Sequence, residues 1–230
     1  MTDLAAVLPI LFGVALVVVL VGGFLLDKKR REALMGFAVK RGWAYAAEDP
    51  SLAERWPGTP FERGDHRRAR NVLRGTESGR PFVAFDYSFQ THSSDNKGGR
   101  RTTTHRFTVC AVQLPGYLGR VEVLPENLFT RATAAIGLRE DIDLESEAFN
   151  RGFQVRARDA KLASDILPPR TMEFLLTARP PAFRIEGDWL IAWDDGRLAP
   201  TEVVRTCAIL DRVLDGVPSF VWKDAGHNPG

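Results

Sequence analysis

Residues Leu4 to Leu26 form 23 consecutive positions without a charged side chain, and Lys28-Lys29-Arg30-Arg31 follows almost at once. An α-helix rises about 1.5 Å per residue, so such a run matches the roughly 30 Å hydrocarbon core of a bilayer. A helix packed on a soluble core keeps a polar face, and this one has none. A cleaved leader would place basic residues before a shorter apolar core and small residues at a cleavage site after it. Here the chain opens Met-Thr-Asp and the basic residues come afterwards. The run is therefore read as a single transmembrane helix. The cations on its C-terminal side put the N-terminus outside and residues 32–230 in the cytosol, at a cell inner membrane or plasma membrane. Lys28, Lys29, Arg30 and Arg31 are expected to contact anionic lipid headgroups, at roughly 1 kcal/mol each near the surface.

Charge narrows the partners of the remainder. Four of the 31 basic and two of the 29 acidic side chains lie at or before Arg31, so residues 32–230 carry 27 of each. A formally neutral domain lacks the basic excess that nucleic-acid binding uses, and no nucleic-acid partner is expected. Cys110 and Cys207 sit among apolar neighbours and read, in a reducing compartment, as two small buried side chains.

Periodicity predicts the elements. Glu32–Arg41 reads as a juxtamembrane helix, with Ala33, Leu34, Phe37 and Ala38 on one stripe and Gly42 beyond its end. Residues 43–65, punctuated by Pro50, Pro57-Gly58 and Pro60, read as loop. Arg68–Thr76 is a strand. Pro81–Gln90 is a stronger one, with Val83, Phe85, Tyr87 and Phe89 on one face, and Thr104–Leu114 is its partner. Val121–Leu124, Leu144–Ser146 and Gly152–Arg158 follow as short strands. Asp159–Leu167 and Arg170–Thr177 are helices parted by Pro168-Pro169. Phe183–Glu186 and Trp189–Trp193 suggest a hairpin across Gly187-Asp188. Thr201–Leu214 is an amphipathic helix with Val203, Val204, Cys207, Leu210, Val213 and Leu214 on one side and Pro200 at its first position.

The expected fold is therefore α+β: one N-terminal transmembrane helix, then a mainly antiparallel sheet with helices packed on it. Its expected parts are 1–31 (anchor and basic flank), 32–42 (juxtamembrane helix), 43–217 (cytosolic domain, with 43–125 and 139–217 as two lobes within it) and 218–230 (frayed tail).

Several short patterns carry a resemblance. They are Gly42-Trp43, Arg80-Pro81-Phe82 with Ala84-Phe85-Asp86-Tyr87, and Glu145-x-Glu147-x-Phe149-Asn150-Arg151. Phe153-x-Val155, Asp165-x-Leu167 and Arg170-x-Met172-x-Phe174-Leu175-Leu176 continue them. The chain resembles a group of bacterial, mostly actinobacterial, single-pass membrane proteins with a cytosolic domain of unknown function. The patterns are aromatic and apolar, so the resemblance implies a fold and no catalytic residue.

No reactive signature stands out beside it. His66, His92, His105 and His227 have none of the spacings of a zinc site, and no metal or cofactor is expected. Glu140, Asp141, Asp143, Glu145 and Glu147 lack the glycine and terminal glutamate of a calcium loop and read as a solvated strand face. Gly75-Thr76-Glu77-Ser78-Gly79 sets its serine one place too late for a nucleophile elbow and reads as a hairpin turn. Gly98-Gly99-Arg100-Arg101-Thr102 lacks the Gly-Lys-Ser/Thr of a phosphate loop. Arg100-Arg101-x-Thr103 matches a basophilic kinase site, a pattern common by chance, and the favoured reading of the stretch is a plain exposed mobile tip.

The function expected from all this is a non-enzymatic, membrane-tethered module that presents its domain to a protein partner at the inner leaflet. His92, Ser93, Ser94, Asp95, Asn96, Lys97, Arg100 and Arg101, in the polar stretch between two strands, are its expected contact loop. The alternative is an enzyme acting on lipid or envelope precursors, its site gathered from Asp86, His92, His105 and Asp194-Asp195.

Overall fold

A computed structural model describes residues 3–94, 99–126 and 141–225, and the chain divides into two units, Met1–Gly42 and Trp43–Gly230. The first unit is one unbroken helix, α1 (Asp3–Arg41), so the apolar run and the juxtamembrane segment share a single axis. It stops where Gly42 takes φ +69° and donates its amide to the Val39 carbonyl, a left-handed cap that glycine adopts without strain. From Val17 to Val21 and Phe24 to Leu26, large apolar side chains are exposed around the whole circumference. Among the described residues no helix is long and apolar enough to cross a membrane. The described side chains of the run begin at Phe12, and 12–26 alone rises only about 22 Å. The expected span also rests on 4–11 and on Leu16, whose side chains lie outside the described residues.

The second unit is α+β, built on one antiparallel sheet of six strands with helices against it. Its strands are β1 (Ala44–Glu48), β2 (Asp65–Glu77), β3 (Arg80–Ser94), β4 (Arg100–Pro125), β5 (Phe153–Ala157) and β6 (Ala182–Asp195). β4 is the spine. Its first half lies between β3 and β6, while its second half keeps β6 and exchanges β3 for β5. The segment Val121–Leu124 is thus the continuation of β4 and not a strand of its own. Register shifts between Gln113 and Val121 bend the strand without ending it, because β6 accompanies it on both sides of the bend. Ser78 and Gly79, both at positive φ, close the tight β2–β3 turn.

The helices are α2 (Glu147–Gly152), α3 (Ala160–Ile166), α4 (Pro169–Ala178), α5 (Pro200–Gly216) and α6 (Ser219–Asp224). Asp159 caps α3 by accepting from the Lys161 and Leu162 amides. Pro169 and Pro200 occupy first-turn positions of α4 and α5, where a missing N–H costs nothing. The α5 stripe is buried at Val203, Cys207, Leu210, Val213 and Leu214, as its period predicts. It brings Cys207 Sγ to 3.4 Å from Cys110 Sγ on β4, and both are free buried thiols. The hydrogen bond with that neighbour, and then burial, push the Cys110 thiol well up.

Four further readings need correction. The segment 43–65 is no plain loop, for it holds β1 and a 3₁₀ turn (Pro50–Leu52) and lays Leu52, Ala53, Trp56 and Phe61 on the sheet. Leu144–Ser146 is not a strand. Asn150 claims both backbone groups of Leu144, and Ser146 accepts from the Phe149 amide at the head of α2. Gly187-Asp188 is not a hairpin turn either: Gly187, φ +67°, pairs with Leu118 at the bend, and β6 runs straight through. Finally, residues after 218 form α6, with Val221 and Trp222 buried; 226–230 lie outside the described residues.

Candidate functional site

The expected contact loop is in large part strand. His92 pairs with Thr102, Ser93 with Arg101 and Ser94 with Arg100, so the ladder runs almost to the tip. β-branched Thr91 and Thr102–Thr104 favour that extension. Asp95, Asn96 and Lys97 lie outside the described residues. Among the described residues, the stretch is therefore a two-stranded ribbon with exposed side chains. Thr103 of the kinase-like motif lies in this ladder opposite Thr91.

A polar cluster sits at the ribbon's base. Asp65 opens β2 opposite Gln90, two residues from His92 along β3. Its Oδ1 lies 3.2 Å from His66 Nδ1 and its Oδ2 lies 3.2 Å from His92 Nε2. His92 Nδ1 is in turn 2.9 Å from Thr102 Oγ1. Hydrogen bonding to His66, with His92 nearby, holds the Asp65 carboxyl below its ordinary range. No sequence spacing announces this group. His66 to His92 is a distance in sequence that only strand register closes.

The dispersed catalytic set does not assemble. His105 pairs with Phe89 and stacks on its ring at 4.8 Å, while its Nε2 meets Thr91 Oγ1 at 2.9 Å. Phe89 belongs to the aromatic face, whereas Asp86 and His92, at even positions of β3, face the other way. The two histidines do not meet across the hairpin. Asp86 works structurally: its Oδ2 accepts from Asn71 Nδ2 at 2.6 Å, and its Oδ1 accepts from the Leu198 amide at 2.7 Å. Asn71 Oδ1 also takes the Tyr45 hydroxyl. Asp194 faces Thr108, one strand beyond Asp86.

Elsewhere, a shallow cleft of about 120 Å³ opens between α4 and the end of α5. Arg170, Phe174, Arg212 and Asp215 line it, and Asp215 is already paired with Arg80 Nη2 at 2.8 Å. Glu140 lies outside the described residues. Asp141 is spent on Gln154 and Arg156, and Asp143 and Glu145 lie outside any strand. On α1, Lys28 pairs with Glu32 at 3.9 Å, and Lys28, Lys29 and Arg31 are exposed.

Compared with solved structures, the chain is similar to the crystal structure of the mycobacterial trehalose monomycolate transport factor A, TtfA. The TM-score is 0.58 at 17% identity, over 87% of this chain and 98% of that one. The likeness is one of fold. No known protein family and no curated protein matches the sequence.

Proposed function

We propose that this chain is a membrane-associated, non-enzymatic factor in envelope-lipid transport, held at the inner leaflet by α1 and presenting its α+β domain to a protein partner. The observation that carries this reading is the fold shared with a solved transport factor over nearly the full length of both chains. The uncharged run Leu4–Leu26 and its basic flank support the anchor, with the N-terminus outside. Lys28, Lys29, Arg30 and Arg31 meet anionic headgroups, and the β3–β4 ribbon, with its exposed His92, Ser93, Ser94, Arg100 and Arg101, meets the partner. A ribbon stiffened by its ladder loses little freedom on binding.

Crosslinking mass spectrometry on the full-length protein in native membranes tests this. Reproducible crosslinks to one membrane protein are expected, and replacement of 92–101 by a short Gly-Ser linker should reduce them at least about tenfold while the domain stays folded. Undiminished crosslinks would remove the ribbon from the interface. Release of the chain by alkaline extraction would remove the anchor.

A further inference from the structure

We propose that Asp65, His66 and His92 form a binding site for one divalent transition-metal ion, of the class that zinc and cobalt represent. Two imidazole nitrogens and one carboxylate oxygen are the donor set such ions select, in contrast to the all-oxygen sets of calcium and magnesium. The spacing also fits. Donors at about 2.0–2.1 Å in a tetrahedron lie roughly 3.3–3.4 Å apart. Asp65 Oδ1 lies 3.2 Å from His66 Nδ1 and Asp65 Oδ2 lies 3.2 Å from His92 Nε2. One donor atom from each of the three residues falls within 4.8 Å of the others, so a small rotation of the carboxylate brings one oxygen to both nitrogens.

Two further features point to a prepared site. Neighbours in a regular strand point to opposite faces, so Asp65 and His66 would diverge. Here His66 takes φ +50° within the register shift between Asp65 and Arg68, and this bulge turns consecutive side chains toward each other. The left-handed region is strained for a residue with a Cβ, and strain of this kind gathers where side chains must be aimed. Thr102 supplies the other feature. His92 Nδ1 lies 2.9 Å from Thr102 Oγ1, so in the metal-bound state Nδ1–H would donate to that hydroxyl and leave the Nε2 lone pair for the ion. On binding, the ion replaces whatever proton bridges each histidine–carboxylate contact. All three ligands are exposed, so water completes the coordination sphere. The ion would clip the start of β2 to the ribbon. This inference does not rest on the proposed function.

The test is titration of the full-length, tag-free protein in detergent with Zn²⁺ by calorimetry and with Co²⁺ by visible absorption. One ion per chain is expected, with the intense ligand-field bands of four-coordinate Co²⁺. His66→Ala and His92→Ala should each abolish saturable binding. Thr102→Val, which removes only the hydroxyl, should weaken it about 10- to 100-fold. His105→Ala, outside the cluster, should leave it unchanged. Absence of one-to-one binding, or equal binding by the two cluster variants that still fold by circular dichroism, would overturn the site. It would leave a plain histidine–carboxylate contact.

Discussion

The sheet is covered on its two faces by different physics. On one face α5 lays down an aliphatic stripe, Val203, Cys207, Leu210 and Val213, and its own helical period keeps those residues together. On the other, the irregular segment 49–64 lies over Val83, Phe85, Tyr87, Phe89 and Trp193. Nothing periodic holds it there. It is pinned from the sheet by polar groups. The Tyr87 hydroxyl donates to the Phe61 carbonyl at 2.8 Å. The guanidinium of Arg184, fully buried on β6, donates to the Pro57 and Thr59 carbonyls and lies over the Phe61 and Trp193 rings. Glu122 Oε1, at 3.8 Å, and Glu186 balance its charge. Burial pushes the Arg184 guanidinium down to about 10, which leaves it charged at neutral pH. A face covered by a helix thus depends on a periodic stripe, and a face covered by an irregular segment depends on its packed aromatic residues together with a few buried hydrogen bonds.

The largest effect should come from Arg184→Met. It strips the segment of two carbonyl partners and leaves Glu122 buried without its counter-charge. Such a broken pair costs about 3–5 kcal/mol, read by denaturant unfolding of the full chain. Hydrogen exchange should quicken first in 49–64, and uniform exchange would break the contrast between the faces. Adding Glu122→Gln should recover part of the loss, since the orphaned charge goes with it.

Leu210→Ala probes the helical face. Removing a fully buried leucine costs about 2–5 kcal/mol through lost burial and the cavity left behind. Here the loss should spread over the whole unit, with no early release of 49–64. Selective exposure of that segment would show the two faces to be coupled.

The smallest effect concerns Asp211, buried on α5, with Arg80 Nη1 at 3.3 Å. Burial raises its carboxyl, and although Arg80 is near, that guanidinium is held more firmly by Asp215. A carboxyl raised on folding binds protons more readily in the folded state. Its cost is therefore absent below the ordinary carboxylate range and grows as pH rises through that range. Asp211→Asn should match the parent in acid and be slightly more stable at neutral pH. A less stable variant at neutral pH would mean that the Arg80 pair outweighs the burial.

This contrast also explains what the sequence could reveal. The α5 stripe, the odd-numbered face of β3 and its partner strand are periodic, so spacing alone predicts them. The segment 49–64 has its apolar residues at Leu52, Ala53, Trp56 and Phe61, with no period. Its decisive partner, Arg184, is 125 residues away from Thr59 in sequence. Gly187-Asp188 carries turn chemistry, but a left-handed glycine serves a bulge equally well, and only pairing with Leu118 tells the two apart. For the same reason Asp65, His66 and His92 are invisible as a group until β2 and β3 fix their register and the bulge at His66 turns its side chain.

β3 and β4 outlast their neighbours, and this has a bearing on how copies of the chain behave toward one another. β2 pairs no further along β3 than Gln90, and β6 no further along β4 than Phe107. Among the described residues, both margins of the ribbon beyond those points face no other strand. Open margins invite an extended chain to zip alongside, including the same ribbon of another copy. Arg100 and Arg101 near the tip make that self-encounter repulsive, since copies meeting margin to margin crowd like charges together.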